Sequence, residues 1–223
     1  MTARGKFISL EGGEGAGKST LLAGLREHIE RNGVSLVQTR EPGGTAVGEA
    51  VRAIVLDPVQ RGMAAETELL LMFAARAQLV REVIEPALAA GRWVLCDRYA
   101  DASHAYQGGG RGQPTERIAE LERWACMGVQ PDLTLLLDLP VATGRARAAG
   151  RGDADRIEVE ADAFFERVRA RYRERAALAA SALGAAAGKS PARGAGACAA
   201  GLWCCRAGQA RVRPAFHAGS AVQ

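Results

Sequence analysis

Gly12-Gly13-Glu14-Gly15-Ala16-Gly17-Lys18-Ser19 decides how this 223-residue chain is read. The octet has the form G-x-x-x-x-G-K-[ST]. An apolar run, Phe7-Ile8-Ser9-Leu10, leads into it, and Leu21, Leu22, Leu25 and Ile29 follow on one face of a helical pattern. Strand, glycine loop and helix in that order form a phosphate cradle. Glycines let the backbone curl until several N–H groups point at one anion. The helix starting near Lys18 adds the positive end of its dipole. Gly12, Gly13, Glu14, Gly15, Ala16, Gly17, Lys18, Ser19 and Thr20 are thus expected to wrap the phosphates of a nucleoside triphosphate. Lys18 reaches the β- and γ-phosphates, and the Ser19 hydroxyl is a ligand for Mg²⁺.

Outward from the loop, the chain alternates. Residues 6–11 read as a strand, 17–31 as a helix ending at Asn32-Gly33, 34–39 as a short strand and 46–56 as a helix. Residues 67–90 form one long helical pattern closed by Gly91, with Pro86 expected to bend or interrupt it. Trp93-Val94-Leu95-Cys96 and residues 133–139 are continuous apolar runs, as expected of strands buried on both faces. Pro114 opens a helix ending near Gly128, and residues 141–149 and 160–178 are helical. Strands separated by helices predict an α/β fold of the P-loop NTPase kind: three layers, with helices on both faces of a parallel sheet. Ligands then bind beyond the carboxyl ends of the strands. The glycine loop, Arg40, Asp97 and Asp138 all fall there.

Composition sets the bounds. A chain of this length that is 48% hydrophobic builds one core, so one domain is expected over residues 1–178. No apolar stretch reaches the ~18 residues a membrane span needs. The N-terminus runs into the first strand without a signal-like segment, which makes the cytoplasm the expected location and a membrane partner unexpected. The five cysteines lack zinc spacing; Cys96 and Cys126 are expected as buried thiols. The net charge of +4 belongs to the C-terminal end. Residues 1–174 carry all 25 acidic groups and 23 of the 29 basic ones, a net of −2, whereas residues 175–223 carry six basic groups and no acid. Six scattered cations with little aromatic interleaving make a poor nucleic-acid footprint, and no nucleic-acid partner is expected. From about Ser181 the text is Ala, Gly and Arg without any apolar period. Residues 179–223 read either as a disordered appendage or as a GC-rich stretch translated out of frame, and the composition favours the second.

Five further segments share the strand ends and the long helix. They are Thr39-Arg40-Glu41-Pro42-Gly43-Gly44-Thr45, Leu70-Leu71-Met72-Phe73-Ala74-Ala75-Arg76, Asp97-Arg98-Tyr99, Ala105 to Gly112, and Arg145 to Glu158. Together with the glycine loop, in this order and spacing, they resemble the bacterial thymidylate kinase family over residues 5 to about 178. The family closes its sheet with one more strand and a helix, and neither is evident here. The resemblance implies phosphorylation of dTMP to dTDP with ATP and Mg²⁺, in dTTP synthesis, by a homodimer formed through the long helix near residues 67–88. Two alternatives stay open: a related kinase for dUMP, dCMP or a deoxynucleoside, and a nucleotide-binding protein whose turnover suffers from the atypical C-terminus.

The chemistry explains the residue types. The nucleophile is a phosphate oxygen that is already anionic, so no general base is needed, and cations and positioning must carry catalysis. Asp97, at the end of a buried strand, is a metal ligand or a turn cap. Arg98 bridges donor and acceptor phosphates, pairs with Asp97 or Glu11, or does both. The resemblance gives Arg98 the phosphate role, assigns the dTMP phosphate to Arg40, and suggests a cis peptide at Glu41-Pro42. By spacing, Phe73 is a core residue more readily than a base platform. The resemblance puts it on the thymine ring with Arg76 on O4, sets Tyr106 and Gln107 near sugar and base, adds Ser103 to base recognition, and places Glu11 near the 3′-hydroxyl and the metal. Residues 145–157, rich in Arg, Gly and Asp, form either a mobile lid or a solvated loop. The glycine loop contains no arginine, so the resemblance points to lid cations, Arg151 and Arg156 first and Arg147 behind them.

Overall fold

The computed structural model describes residues 3–149, 154–186 and 202–206. The first strand, β1 (Phe7–Gly12), is buried at all six positions. It lies between β3 (Trp93–Asp97) and β4 (Leu133–Leu137), both parallel to it, and β2 (Leu36–Arg40) adds a fourth parallel strand beside β3. The register decides where the chemistry sits. Leu10 stands opposite Asp97, Arg40 opposite Asp97, and Gly12 opposite Leu137. One end of the sheet therefore collects the glycine loop, Asp97 and Arg40, as the strand pattern predicts.

Successive β residues face opposite layers. Phe7, Val94 and Cys96 pack with Leu79, Ile84, Leu88 and Tyr99 on one face. Ile8, Leu10, Leu95 and Leu135 pack with Leu22 and Ile29 on the other. The second face is covered by α1 (Lys18–Arg31), whose apolar stripe is the one read from the sequence. The first is covered by α3 (Ala65–Leu79) and α4 (Glu85–Ala89). Leu10 is fully buried, so its truncation to Ala opens a cavity under α1 at a cost of about 2–5 kcal/mol. Cys96 and Cys126 are buried free thiols.

The expected long helix is interrupted. Between α3 and α4 runs a π-helical stretch, Val80–Ile84, with Pro86 in the first turn of α4. Proline offers no N–H to the preceding turn, and the wider turn absorbs that missing bond. The other helices are α2 (Ala46–Leu56), the short α5 (Ala100–Ser103), α6 (Thr115–Cys126), α7 (Val141–Ala148) and α8 (Asp162–Ala186). A further π-helical turn, His104–Gly110, follows α5. Here Tyr106 packs with Phe164, Phe165, Val168 and Tyr172 of α8, which brings α8 to the mouth of the site.

The C-terminal end departs from expectation in two ways. Helix α8 runs to Ala186, past residue 178. A fifth strand, β5 (Leu202–Arg206), pairs antiparallel with β4, Leu202 opposite Leu137 and Arg206 opposite Leu133. The sheet order is β2-β3-β1-β4-β5. An edge strand of five residues draws on backbone bonding to β4 and leaves little apolar period to read. The remainder of the atypical tail, 187–201 and 207–223, lies outside the described residues. Among the described residues no helix is long and apolar enough to cross a membrane.

Candidate active site

The glycine loop turns between β1 and α1 with φ of 137° at Gly12, 66° at Gly15 and 96° at Gly17. These values belong to the region glycine enters without a Cβ penalty. At Gly12 a Cβ would collide with the Leu137 carbonyl, and at Gly15 with that of Gly144. Lys18 opens α1 and folds its Nζ back over the loop, donating to the carbonyls of Gly12 (3.1 Å) and Gly13 (2.9 Å). Burial, with Arg98 nearby, lowers the Lys18 ammonium to about 8. An anion seated in the cradle restores the charge.

Asp97, Arg98 and Tyr99 leave β3 at the centre of the site. Arg98 takes φ of 71°, rare for a residue with a Cβ. Its N–H is tied to the Leu10 carbonyl at 2.9 Å. Its guanidinium donates to Glu14 (2.6 Å), the Gly12 carbonyl (2.8 Å) and the hydroxyls of Tyr106 (3.1 Å) and Tyr172 (3.2 Å), and it stacks on the Tyr106 ring. Backbone strain held by this many partners fixes the side chain's direction. Burial opposes its charge, but Tyr106, Tyr172, Glu14 and Asp97 outweigh that, so Arg98 is held firmly cationic. Glu11 lies beneath, accepting from the Tyr99 N–H at 2.7 Å and the Tyr172 hydroxyl at 2.8 Å. Burial, then Asp101, raises its carboxyl to about 8.

A cavity of about 510 Å³ opens beyond these residues. The loop from Glu14 to Thr20 forms one wall, with Asp97 and Arg98, and Arg40, Arg52 and Arg147 supply further cations. Arg40 is half exposed and paired with Glu49 at 2.8 Å. The Glu41–Pro42 peptide is cis. Asp97 Oδ1 is buried without a hydrogen-bond partner among the described residues, on the same wall as Ser19. An unpartnered carboxylate oxygen beside a hydroxyl suits a hard cation that keeps most of its waters, so Ser19 and Asp97 fit Mg²⁺. Asp138 faces elsewhere, in a bidentate pair with Arg169 at 2.6 and 3.1 Å.

On the far wall the residues diverge from expectation. Met72, Ala102, Tyr106 and Gln107 line the cavity. Phe73 does not; it is buried against Leu69, Ile118 and Ala125, in the seam between α3 and α6. Successive helical residues point about 100° apart, so only one of the Met72-Phe73 pair reaches the cavity, and α6 draws the ring away. Arg76 is also absent from the cavity wall. Its guanidinium, fully buried, rests on the Phe73 ring at 4.6 Å and donates to Glu41 (2.7 Å), Ser103 Oγ (3.0 Å) and the Tyr99 carbonyl (3.1 Å). Ser103 is correspondingly committed to Arg76. Arg76, Ser103 and Glu41 form a buried brace joining α3, α5 and the Glu41 turn.

The lid residues divide. Arg151 lies outside the described residues. Arg156 is 4% exposed and does not act as a free cation. Its Nε donates to the Val55 carbonyl and its NH2 to Glu68, both at 2.6 Å, while its N–H reaches the Leu56 carbonyl. The returning end of the segment is thus stapled to α2 and α3. Arg147, on the last turn of α7, is exposed and lines the cavity, so of the lid arginines among the described residues it is the one on the cavity wall. Three participants escaped the sequence: Met72, Arg52 and Tyr172. Met72 and Tyr172 follow the apolar period of their helices and carry no signal beyond it.

The comparisons with known proteins agree with this geometry. The sequence model of the thymidylate kinase family matches residues 10–190. The thymidylate kinase of Alkalilimnicola ehrlichii is 59% identical over 143 residues, 64% of this chain and 66% of that protein. That of Pseudomonas putida strain GB-1 is 60% identical over 146 residues, 64% of this chain and 68% of its own. The alignments span about two thirds of these relatives' length. The crystal structure of thymidylate kinase from Ehrlichia chaffeensis superposes with a TM-score of 0.63 at 32% identity, covering 78% of this chain and 85% of that one. The chain belongs to the thymidylate kinase family.

Proposed function

We propose that this protein phosphorylates dTMP to dTDP with ATP as the donor, feeding dTTP synthesis. The observation that carries the proposal is the single cavity in which the glycine loop and Lys18 face Met72, Tyr106 and Gln107 across Arg98 and Arg147. One end suits a triphosphate, the other a pyrimidine, and the cations lie between. The acceptor phosphate is already a nucleophile, so the chain needs only to hold both phosphates in line and offset their charge. Lys18 and the loop amides bind the β- and γ-phosphates. Arg98 exchanges Glu14 for phosphate oxygens, and Arg40 takes the dTMP phosphate in place of Glu49. Ser19 and Asp97 would hold Mg²⁺, which would supply neutralisation of phosphate charge. Arg147, with Arg151 as the second candidate, closes over the transferring group and excludes water. Tyr106 crowds the sugar on the side where a ribose bears its 2′-hydroxyl. Residues 1–178 contain every group named here.

The test is coupled ADP release with ATP and Mg²⁺ against dTMP, dUMP, dCMP and thymidine. Turnover selective for dTMP is expected. Calorimetric dTMP binding without ADP release would instead favour the non-catalytic alternative. We also propose a homodimer, supported by two exposed large apolar side chains, Leu70 on α3 and Trp124 on α6. Sedimentation at twice the chain mass is the expected result.

A further inference from the structure

Glu68 is buried on α3 and is not itself part of the cavity wall, yet three other side chains meet at its carboxylate. Oε2 accepts from Arg156 NH2 at 2.6 Å and Arg111 Nε at 3.1 Å. Oε1 accepts from Gln107 Nε2 at 2.8 Å. Gln107 itself lines the cavity, and its other polar atom, Oε1, is shut off from solvent without a donor among the described residues. A buried carbonyl oxygen without a donor is costly, and a donor on a molecule seated against Gln107 would relieve that cost.

An ionised carboxylate only accepts. Exchanging the oxygen and nitrogen of the Gln107 amide would set two acceptors face to face at the Glu68 contact. Glu68 therefore leaves Gln107 one orientation: NH₂ to the carboxylate, with the carbonyl oxygen left to accept from another donor. Arg111 and Arg156 hold Glu68 in turn, so it cannot swing away. Thymine and uracil carry a proton on N3, whereas cytosine has a lone pair there. A fixed acceptor welcomes the first two and opposes the third.

We propose that Glu68 is a positioning residue that sets pyrimidine specificity: by locking the Gln107 amide it makes the site accept an N3–H and reject cytosine. This rests on the dTMP kinase assignment above. The wild-type protein tests that assignment separately, since absent dTMP turnover would overturn the assignment before any variant is compared.

The experiment compares kcat/KM for dTMP, dUMP and dCMP in wild type and Glu68→Gln. A glutamine at 68 presents either an amide or a carbonyl, so Gln107 is free to flip. The dTMP-to-dCMP ratio is expected to narrow about tenfold or more, the usual scale for a lost polar match in a binding site, while the dTMP-to-dUMP ratio stays fixed. Arg111→Met removes the longer of the two anchors but leaves the Glu68 carboxylate held by Arg156 at 2.6 Å and facing Gln107, so both ratios should stay unchanged. Glu68→Gln leaves Arg156 buried without its carboxylate, and if it fails to fold, Glu68→Gln/Arg156→Met removes both charges and carries the same expectation. A general loosening of the fold would lower all three substrates together. An unchanged dTMP-to-dCMP ratio in a folded variant, or equal losses for dUMP and dCMP, overturns the proposal.

Discussion

Arg156→Met separates the two roles that an arginine in this segment can have. A cation that closes on the transferring phosphoryl acts in the transition state. A cation bound to Glu68 and Val55 acts in the fold. The distances favour the second: 2.6 Å to the Glu68 carboxylate, 2.6 Å to the Val55 carbonyl, and 4% exposure. Removing one member of a buried ion pair commonly costs about 3–5 kcal/mol, mostly from the charge left behind. Here Glu68 keeps Arg111 and Gln107, and methionine refills much of the volume, so the loss falls to about 2–3 kcal/mol. For a domain of this size, that lowers Tm by about 4–12 °C. Calorimetry without ligands reads it directly, and ADP release at 20 °C, well below the transition, should show kcat within a few-fold of wild type. Arg147→Ala should show the converse, an unmoved Tm and a kcat lower by about 10²–10³-fold, as for loss of a transition-state donor. An Arg156→Met enzyme with unchanged Tm and a hundredfold lower kcat would refute the structural role and return Arg156 to the chemistry.

Three further outcomes are expected. Arg98→Met should lower kcat by about 10²–10³-fold with a much smaller change in the KM for dTMP, and equal changes in both would mean that Arg98 only binds. Asp97→Asn should raise the Mg²⁺ concentration for half-maximal rate by about 10–100-fold, whereas an unmoved Mg²⁺ titration removes Asp97 from the metal. Glu11 keeps its proton to about pH 8 in the folded protein and loses it near 4.5 when unfolded. Across that window the native state holds more protons than the unfolded chain, so this group makes stability fall as pH rises. Glu11→Gln cannot ionise; its Tm should fall less between pH 5 and 8 than that of wild type, and parallel curves would contradict the burial argument.

Elements with a strong local period were legible from residue order. The glycine loop, both flanking elements, the four parallel strands and the strand-end positions of Arg40 and Asp97 follow from apolar runs and turn residues, signals that neighbouring residues generate by themselves. What escaped depends on distant partners. Phe73 and Met72 are adjacent, and either fits a helical face; only the presence of α6 decides that Phe73 is core and Met72 is wall. Arg156 sits in a segment whose composition suits a solvated lid, and nothing in that text announces a buried carboxylate on α3. The β5 strand is stabilised by the open edge of β4, a partner more than sixty residues away. Tyr172 follows the apolar period of α8, so its hydroxyl contacts to Arg98 and Glu11 were hidden by its ring.

The arginines around the cavity sort by the cost of changing partners. Arg76 and Glu41 are both almost wholly buried at 2.6 Å, and an approaching phosphate cannot replace that carboxylate without leaving a charge stranded in the core. The same holds for Arg156 and Glu68, exposed 4% and 1%. Arg40 and Glu49 are exposed 52% and 45%, where an ion pair contributes at most about 1 kcal/mol and exchanges freely. Arg98 lies between, 14% exposed against 28% for Glu14, with three other partners that fix its direction while Glu14 can still yield to a phosphate. Catalysis by charge alone requires cations that are already aimed yet free to trade one anion for another. Burial therefore divides the guanidiniums: the deepest hold α2, α3, α5 and the Glu41 turn in place, and the proposed reaction leaves Arg40, Arg98 and Arg147 to meet the phosphates.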